Sequence, residues 1–284
     1  MRFAVTALVL VLLLAACGED DPAEDTSRRS VVTAFYPLTF VATEVAGDMA
    51  DVSSVTPAGV EPHDVELTAS QVRRTTEADL LVYLGGGFQP ELEKLVPEVE
   101  RTLNVLTVTP GSSPQDDPHI WLDPVLMAGI TDAVADAMAQ VDPRHADDYR
   151  ANAADLVTRI NDLDDDFVNG LSRCERREFV TTHEAFGHLA ERFNLTQIGI
   201  AGISPEQEPS PRRLEEVAQV VRERNITTIF FEALLPEDIA ETVAGETGAE
   251  TALLDPLESP PRTGDYLSAM RANLQALRTA LNCR

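Results

Sequence analysis

The chain has 284 residues, 44% of them hydrophobic, and carries a formal net charge of −26. That content supports a packed core, and the length suits two ordinary domains or one large one. An acidic balance without basic patches argues against a nucleic-acid partner, and it raises local cation concentration only in a general way.

At the N-terminus, Arg2 precedes an apolar run from Ala4 to Leu14, and Leu14-Ala15-Ala16-Cys17 follows. A charged start, a short apolar stretch and small residues before a cut site read as a secretory signal over residues 1–16. The run is shorter than the roughly 20 residues that span a bilayer. The cysteine at the cut resembles a bacterial lipobox, so Cys17 is expected to carry a lipid. Residues 17–29 are polar and read as a flexible tether that holds the chain at the outer face of the cell membrane.

From Ser30 onward, strand and helix patterns alternate. Strands are expected at Val31 to Phe35, Val52 to Val55, Leu80 to Leu84 and Val105 to Val108. Helices are expected at Pro37 to Gly47, Ala69 to Ala78 and Glu91 to Val99. This rhythm implies α/β architecture, a mainly parallel sheet flanked by helices. Pro124 to Gln140 reads as a helix. His145 to Val168 then forms one long amphipathic pattern, with Tyr149, Ala153, Leu156, Ile160, Leu163 and Phe167 at three- and four-residue steps, ending near Gly170. A helix that long reads as a rigid connector between two lobes.

The α/β rhythm then returns. Phe179 to Thr182, Thr196 to Ala201, Thr227 to Phe231 and Thr251 to Leu254 read as strands. Ala185 to Phe193, a helix opened by Ser210-Pro211, Pro236 to Thr247 and Tyr266 to Leu281 read as helices. The expected organisation is a first lobe over 30–142, a linking helix over 143–170 and a second lobe over 171–284. With Cys17 lipidated, Cys174 and Cys283 remain as a pair in an oxidising compartment and are expected to form a disulfide. No Cys-x-x-Cys pair offers a thiolate metal site.

Four of the five histidines lie in or near strand-to-helix loops, His145 being the exception. His63 sits among Gly59-Val60-Glu61-Pro62, His119 between Pro118 and Pro124, and His183 just beyond a strand. Asp255 also follows a strand, before Pro256. In parallel α/β sheets, ligands bind at such carboxyl ends. Three imidazoles and a carboxylate match zinc in number and donor type, and the absence of soft sulfur ligands argues against copper(I). Four protein ligands leave no open position for a catalytic water, so binding is expected rather than enzymatic turnover. Glu61 and Asp64 flank His63, and each is a rival for the carboxylate, a supporting partner or an exposed acid. Glu232, after Phe231, is a candidate to orient an imidazole through its second nitrogen. An extracellular metallohydrolase with Glu184 as base is the opposing reading. However, His183 and His188 lack the His-Glu-x-x-His spacing.

Several motifs carry a more specific likeness. They are Ala34-Phe35-Tyr36-Pro37-Leu38, Pro62-His63, Thr75 to Leu84, Asp117-Pro118-His119-Ile120-Trp121-Leu122-Asp123-Pro124, Thr182-His183-Glu184-Ala185-Phe186-Gly187, Gly202-Ile203-Ser204 with Glu208-Pro209-Ser210, and Phe230-Phe231-Glu232. Over essentially the whole mature chain, the sequence resembles the substrate-binding lipoproteins of zinc and manganese ABC importers, the cluster A-I family. The resemblance implies two lobes joined by a rigid helix, and capture of a divalent metal for an ABC permease in the cytoplasmic membrane by a monomer. It puts the ligands on His63, His119, His183 and Asp255. Histidine at 183 is the zinc type, with Mn²⁺ or Fe²⁺ as the alternative cargo. Two departures stand out: the segment Pro110 to Asp117 lacks the long His-rich loop of many zinc-type members, and His188 occupies a place where the family commonly has tyrosine. His188 is read as structural.

Overall fold

The computed structural model describes residues 28–108, 117–205 and 208–284. The leader, Cys17 and the tether up to residue 27 lie outside the described residues, and Arg29, assigned above to the tether, opens the first strand.

Strands β1 (Arg29–Thr33), β2 (Ala50–Ser54), β3 (Leu80–Tyr83) and β4 (Thr102–Asn104) form one sheet in the order β2-β1-β3-β4. Every pairing is parallel, with Val31 opposite both Val52 and Leu80. Parallel neighbours need crossovers on the sheet faces. Helices α1 (Tyr36–Ala46), α2 (Ala69–Thr76) and the short α3 (Pro90–Glu93) and α4 (Val105–Val108) lie between and after these strands. Then come α5 (Pro124–Val141) and α6 (Ala146–Leu171). The second sheet repeats the first order: β5 (Glu178–Thr181), β6 (Thr196–Gly199), β7 (Thr228–Phe231) and β8 (Glu250–Leu253) run β6-β5-β7-β8, again all parallel. Helices α7 (Gly187–Arg192), α8 (Pro211–Arg224), α9 (Asp238–Thr247) and α10 (Tyr266–Ala280) accompany it. The fold is the expected two-lobed α/β arrangement.

Helix α6 has 26 residues, about 39 Å at 1.5 Å per residue. The residues of its apolar stripe, Tyr149 through Phe167 with Leu171 added, are all buried. They face α1 and α5 on one side and α10 on the other, so one continuous core runs from the first sheet to the second. A smaller core around Val217, Val221 and Ile229 serves the far side of the second sheet. The helix ends at Leu171, one residue past Gly170. A Cβ there would stand 3.0 Å from a Leu274 methyl, so glycine lets α10 approach. At the start of α6, the buried Asp142 carboxylate accepts from His145, Arg144 and the Tyr149 hydroxyl. Cys174 and Cys283 are bonded, tying the end of α6 to the chain end.

Two elements differ from expectation. Residues 105–108 are helical, and the strand lies earlier, at 102–104. Asn104 ends it: its Oδ1 accepts from the Leu106 and Gly85 N–H groups, and its carbonyl accepts from the Thr107 hydroxyl. The helix expected over 91–99 breaks into α3 and a 3₁₀ turn at Val96–Glu98, because Pro97 supplies no N–H for an α-helical bond. Among the described residues, no helix is long and apolar enough to cross a membrane.

Candidate metal centre

Each sheet aims the carboxyl ends of its strands at a common region, and the loops leaving β2, β5 and β8 carry polar groups into it. The loop after β2 presents His63. Its backbone is held from below by buried Gln89, whose amide donates to the Pro62 carbonyl at 3.1 Å and to Thr56 Oγ1 at 2.8 Å. The Phe88 ring packs on the His63 imidazole with centroids 4.4 Å apart. His119 precedes a 3₁₀ turn at Ile120–Leu122 that leads into α5. Trp121 in that turn is fixed from the second half: its indole N–H donates to the Pro256 carbonyl at 2.7 Å, and its own carbonyl accepts from Tyr266 at 2.5 Å. His183 follows β5 directly and is fully buried.

The three imidazoles meet a fourth group, the carboxylate of Glu258. Glu258 Oε1 lies 3.3 Å from His63 Nε2, 3.4 Å from His119 Nε2 and 4.0 Å from His183 Nε2, and the two buried histidines have their Nε2 atoms 3.4 Å apart. A zinc ion with bonds of about 2.0–2.1 Å puts its tetrahedral ligand atoms about 3.3–3.4 Å from one another. Three of these four separations match that edge, and the fourth exceeds it by about 0.6 Å. His63 and His119 come from the first half of the chain, His183 and Glu258 from the second.

The other ring nitrogens are held from behind. Asp117 Oδ1 accepts from the His119 N–H at 2.9 Å and lies 2.7 Å from His119 Nδ1. That bond places a proton on Nδ1 and turns Nε2 inward. Glu232 Oε2 stands 2.5 Å from His183 Nδ1, off the axis of the ring N–H, so it is a close contact rather than an aligned hydrogen bond. Its other oxygen accepts from the Thr182 hydroxyl at 2.6 Å and the His183 N–H at 3.1 Å. Glu232 thus stands behind the His183 imidazole. Glu61 Oε1 accepts from the His63 N–H at 3.2 Å and remains 4.0 Å from His63 Nε2, outside the four-donor cluster.

Asp255, expected to complete the set, does not reach it. Its Oδ1 accepts from the Leu257 N–H at 2.8 Å, and Asn273 grips its backbone on both sides, accepting from N–H at 2.9 Å and donating to C=O at 2.6 Å. Asp255 therefore shapes the turn, Leu257 takes the left-handed conformation at φ 59°, and the next side chain, Glu258, points into the site. Sequence reasoning stopped three residues short. Aspartate before proline is itself a turn signal, and the acid just past that turn was the one to weigh.

Electrostatics follow from the burial. Burial alone would lower the His119 pKa, but hydrogen bonds and charge from Asp117 and Glu258 overcome it and raise it to about 9. Burial would raise the Glu258 carboxyl; the facing histidines instead hold it well below the usual carboxylate range. Burial lifts Asp255 above its ordinary value, against the pull of the Leu257 N–H. Without a cation, a proton shared around His119 and Glu258 balances the buried acid, and a divalent metal can replace it.

Residues 31–280 match the family described as ZnuA, zinc-uptake complex component A, periplasmic. The zinc-binding lipoprotein AdcA of Streptococcus pneumoniae is 32% identical over 298 residues, covering 96% of this chain and 59% of AdcA. The high-affinity zinc uptake system protein ZnuA of Bacillus subtilis is 31% identical over 304 residues, covering 95% of this chain and 94% of that protein. Among solved structures, the laminin-binding protein Lmb of Streptococcus agalactiae, described as bifunctional with adhesin and metal transporting activity, superposes with a TM-score of 0.83. It shares 37% identity and covers 89% of this chain and 99% of its own. The Zn(II)-bound ZnuA-like domain of Streptococcus pneumoniae AdcA superposes with a TM-score of 0.79 at 32% identity, covering 90% of this chain and all of that domain. The chain therefore spans 56–59% of the length of the AdcA relatives and 94% of the Bacillus subtilis ZnuA. Matched along nearly its whole described length, it belongs to the zinc-uptake component A family.

Proposed function

We propose that this protein captures Zn²⁺ outside the cytoplasmic membrane and hands it to an ABC-type permease, holding the ion with Nε2 of His63, His119 and His183 and with a Glu258 oxygen. The observation that carries this reading is the convergence of those four donors at close to the spacing of a tetrahedral zinc shell. Two donors come from each half, so the ion is gripped between lobes, here taken as residues 30–142 and 171–284 around the linking helix. The donor set is closed, which suits capture and release rather than hydrolysis, whose metal needs an open position. Three imidazoles favour zinc over manganese, whose preferred ligands are oxygens, and both manganese and iron(II) stand below zinc in intrinsic affinity. A lipid on Cys17 would hold the protein beside its permease, as a monomer.

Titration calorimetry of His63→Ala against the parent chain tests the site. Zinc affinity should fall by orders of magnitude while the circular dichroism spectrum stays the same, and unchanged zinc binding would remove the assignment. Elemental analysis of protein purified without chelators tests the cargo: zinc is expected, and stoichiometric manganese or iron would replace it.

A further inference from the structure

Helix α7 begins four residues beyond His183, yet its side chains are occupied with the loop that carries His119. His188 Nε2 lies 3.0 Å from the Asp117 backbone carbonyl, across 71 positions of sequence. A carbonyl only accepts, so Nε2 carries the proton and donates. One turn later, Arg192 stands 3.8 Å from the Asp123 carboxylate and 2.6 Å from that of Asp164 on α6. His188 and Arg192 are i and i+4 on one helical face. Together they hold the segment 117–123 at both of its ends, with His119 between them. Gly187 completes the fit: a Cβ there would come 2.4 Å from Asp117 Oδ2, so the backbone of α7 lies directly against the acid that orients His119.

We infer that His188 is a positioning residue for metal capture. Its hydrogen bond to Asp117 locks the His119 loop of the first half onto the helix that follows His183 in the second, so that these two imidazoles form a preassembled half-site. Their Nε2 atoms already stand 3.4 Å apart, and both rings are fully buried. His63 is partly exposed and Glu258 rides on a separate loop, so those two donors complete the shell around a fixed pair. The role of His188 is indirect: it touches neither the ion nor a ligand, and acts through Asp117. The inference rests on the zinc-capture reading and assigns a duty to a side chain outside the donor set.

The test compares the full chain with His188→Ala, His188→Gln and His119→Ala. Zinc dissociation is followed by a chelator chase, zinc affinity by competition, site geometry by the visible absorption of bound Co²⁺, and global stability by thermal unfolding. Loss of a supporting partner of a metal ligand typically costs 10–100-fold in affinity. His188→Ala should therefore release zinc 10–100 times faster and alter the Co²⁺ bands. Glutamine carries an amide N–H near the position of Nε2 and should restore both to within about threefold. Parent-like release from His188→Ala, with binding abolished in His119→Ala, overturns the inference and leaves the capture reading standing. Equal loss in the Ala and Gln variants, matched by equal drops in melting temperature, also overturns it. Unchanged zinc binding in His119→Ala would instead overturn the capture reading itself.

Discussion

Acidification should strip the metal by a proton that competes at His119. That imidazole is raised to about 9, because its contacts with Asp117 and Glu258 outweigh the opposing effect of burial. A ligating imidazole must be neutral, so below that value each bound zinc displaces this proton. One competing proton multiplies the apparent Kd about tenfold per pH unit, or about 1.4 kcal/mol. Moving from pH 8 to pH 6 should thus weaken zinc binding about 100-fold from this group alone, with any protons on the other ligands adding to it. Calorimetry in buffers of different ionisation enthalpy should count close to one proton or more released per zinc near pH 7.5. An affinity that changes less than threefold between pH 8 and 6, with no proton release, would refute the reasoning. The same group has the opposite effect on the metal-free fold. Its folded pKa lies above the unfolded value of about 6.5, so its stabilising contribution is complete below that value and is lost as pH rises toward about 9. Melting of the metal-free chain should show that contribution disappearing between pH 6.5 and 9.

Further outcomes distinguish the acids and test the frame. Glu258→Gln should lower zinc affinity by orders of magnitude. Asp255→Asn keeps an oxygen for the Leu257 N–H and should stay within about threefold of the parent in the same competition assay, whereas a ligand role for Asp255 would make it fail as Glu258→Gln does. Phe167→Ala removes a fully buried ring from α6 and should cost about 3–5 kcal/mol in denaturant unfolding. Reduction of the Cys174–Cys283 bond, or Cys174→Ser with Cys283→Ser, frees a loop of 109 residues and should lower stability by up to about 5 kcal/mol by the chain-entropy account.

What could be read from the chain depended on how local the determining physics was. Helix α6 was legible because a buried stripe must recur at three- and four-residue steps, and the six residues named from that rule are all buried. The histidines were legible because imidazoles beside strand ends are few and chemically distinctive. Asp255 misled because a carboxylate in a loop can serve a metal or its own backbone, and only the fold shows which. The chain in fact repeats the device: Asp117, Asp123 and Asp255 each precede proline, and each accepts the N–H of the residue two positions on. The helix at 105–108 was hidden for a similar reason. Four apolar-leaning residues fit either state, and Asn104 decided between them through a contact with Gly85, nineteen positions away. His188 stood out only as a departure from the family pattern, and its role was hidden because its partner is a backbone carbonyl in the other half.

The burial of α6 along its whole inner face has a mechanical consequence for loading. A linker with a dry stripe shared by two sheets behaves as a spine, and swinging the halves apart about it would wet Leu156, Ile160, Leu163 and Phe167 together. At about 1.5–3 kcal/mol for each large apolar side chain, that motion costs more than a transient opening can bear. Exchange of the ion must then pass through the rim, where, beside the His63–Glu258 contact of the site itself, the Gly59 N–H donates to the Ser259 hydroxyl at 2.7 Å and joins the two loops. Hydrogen exchange should therefore show fast amides at 57–63 and 259–264 beside a slowly exchanging α6. In such a molecule the spine keeps the two halves of the coordination shell in register, and delivery of the ion becomes a matter of two short loops parting.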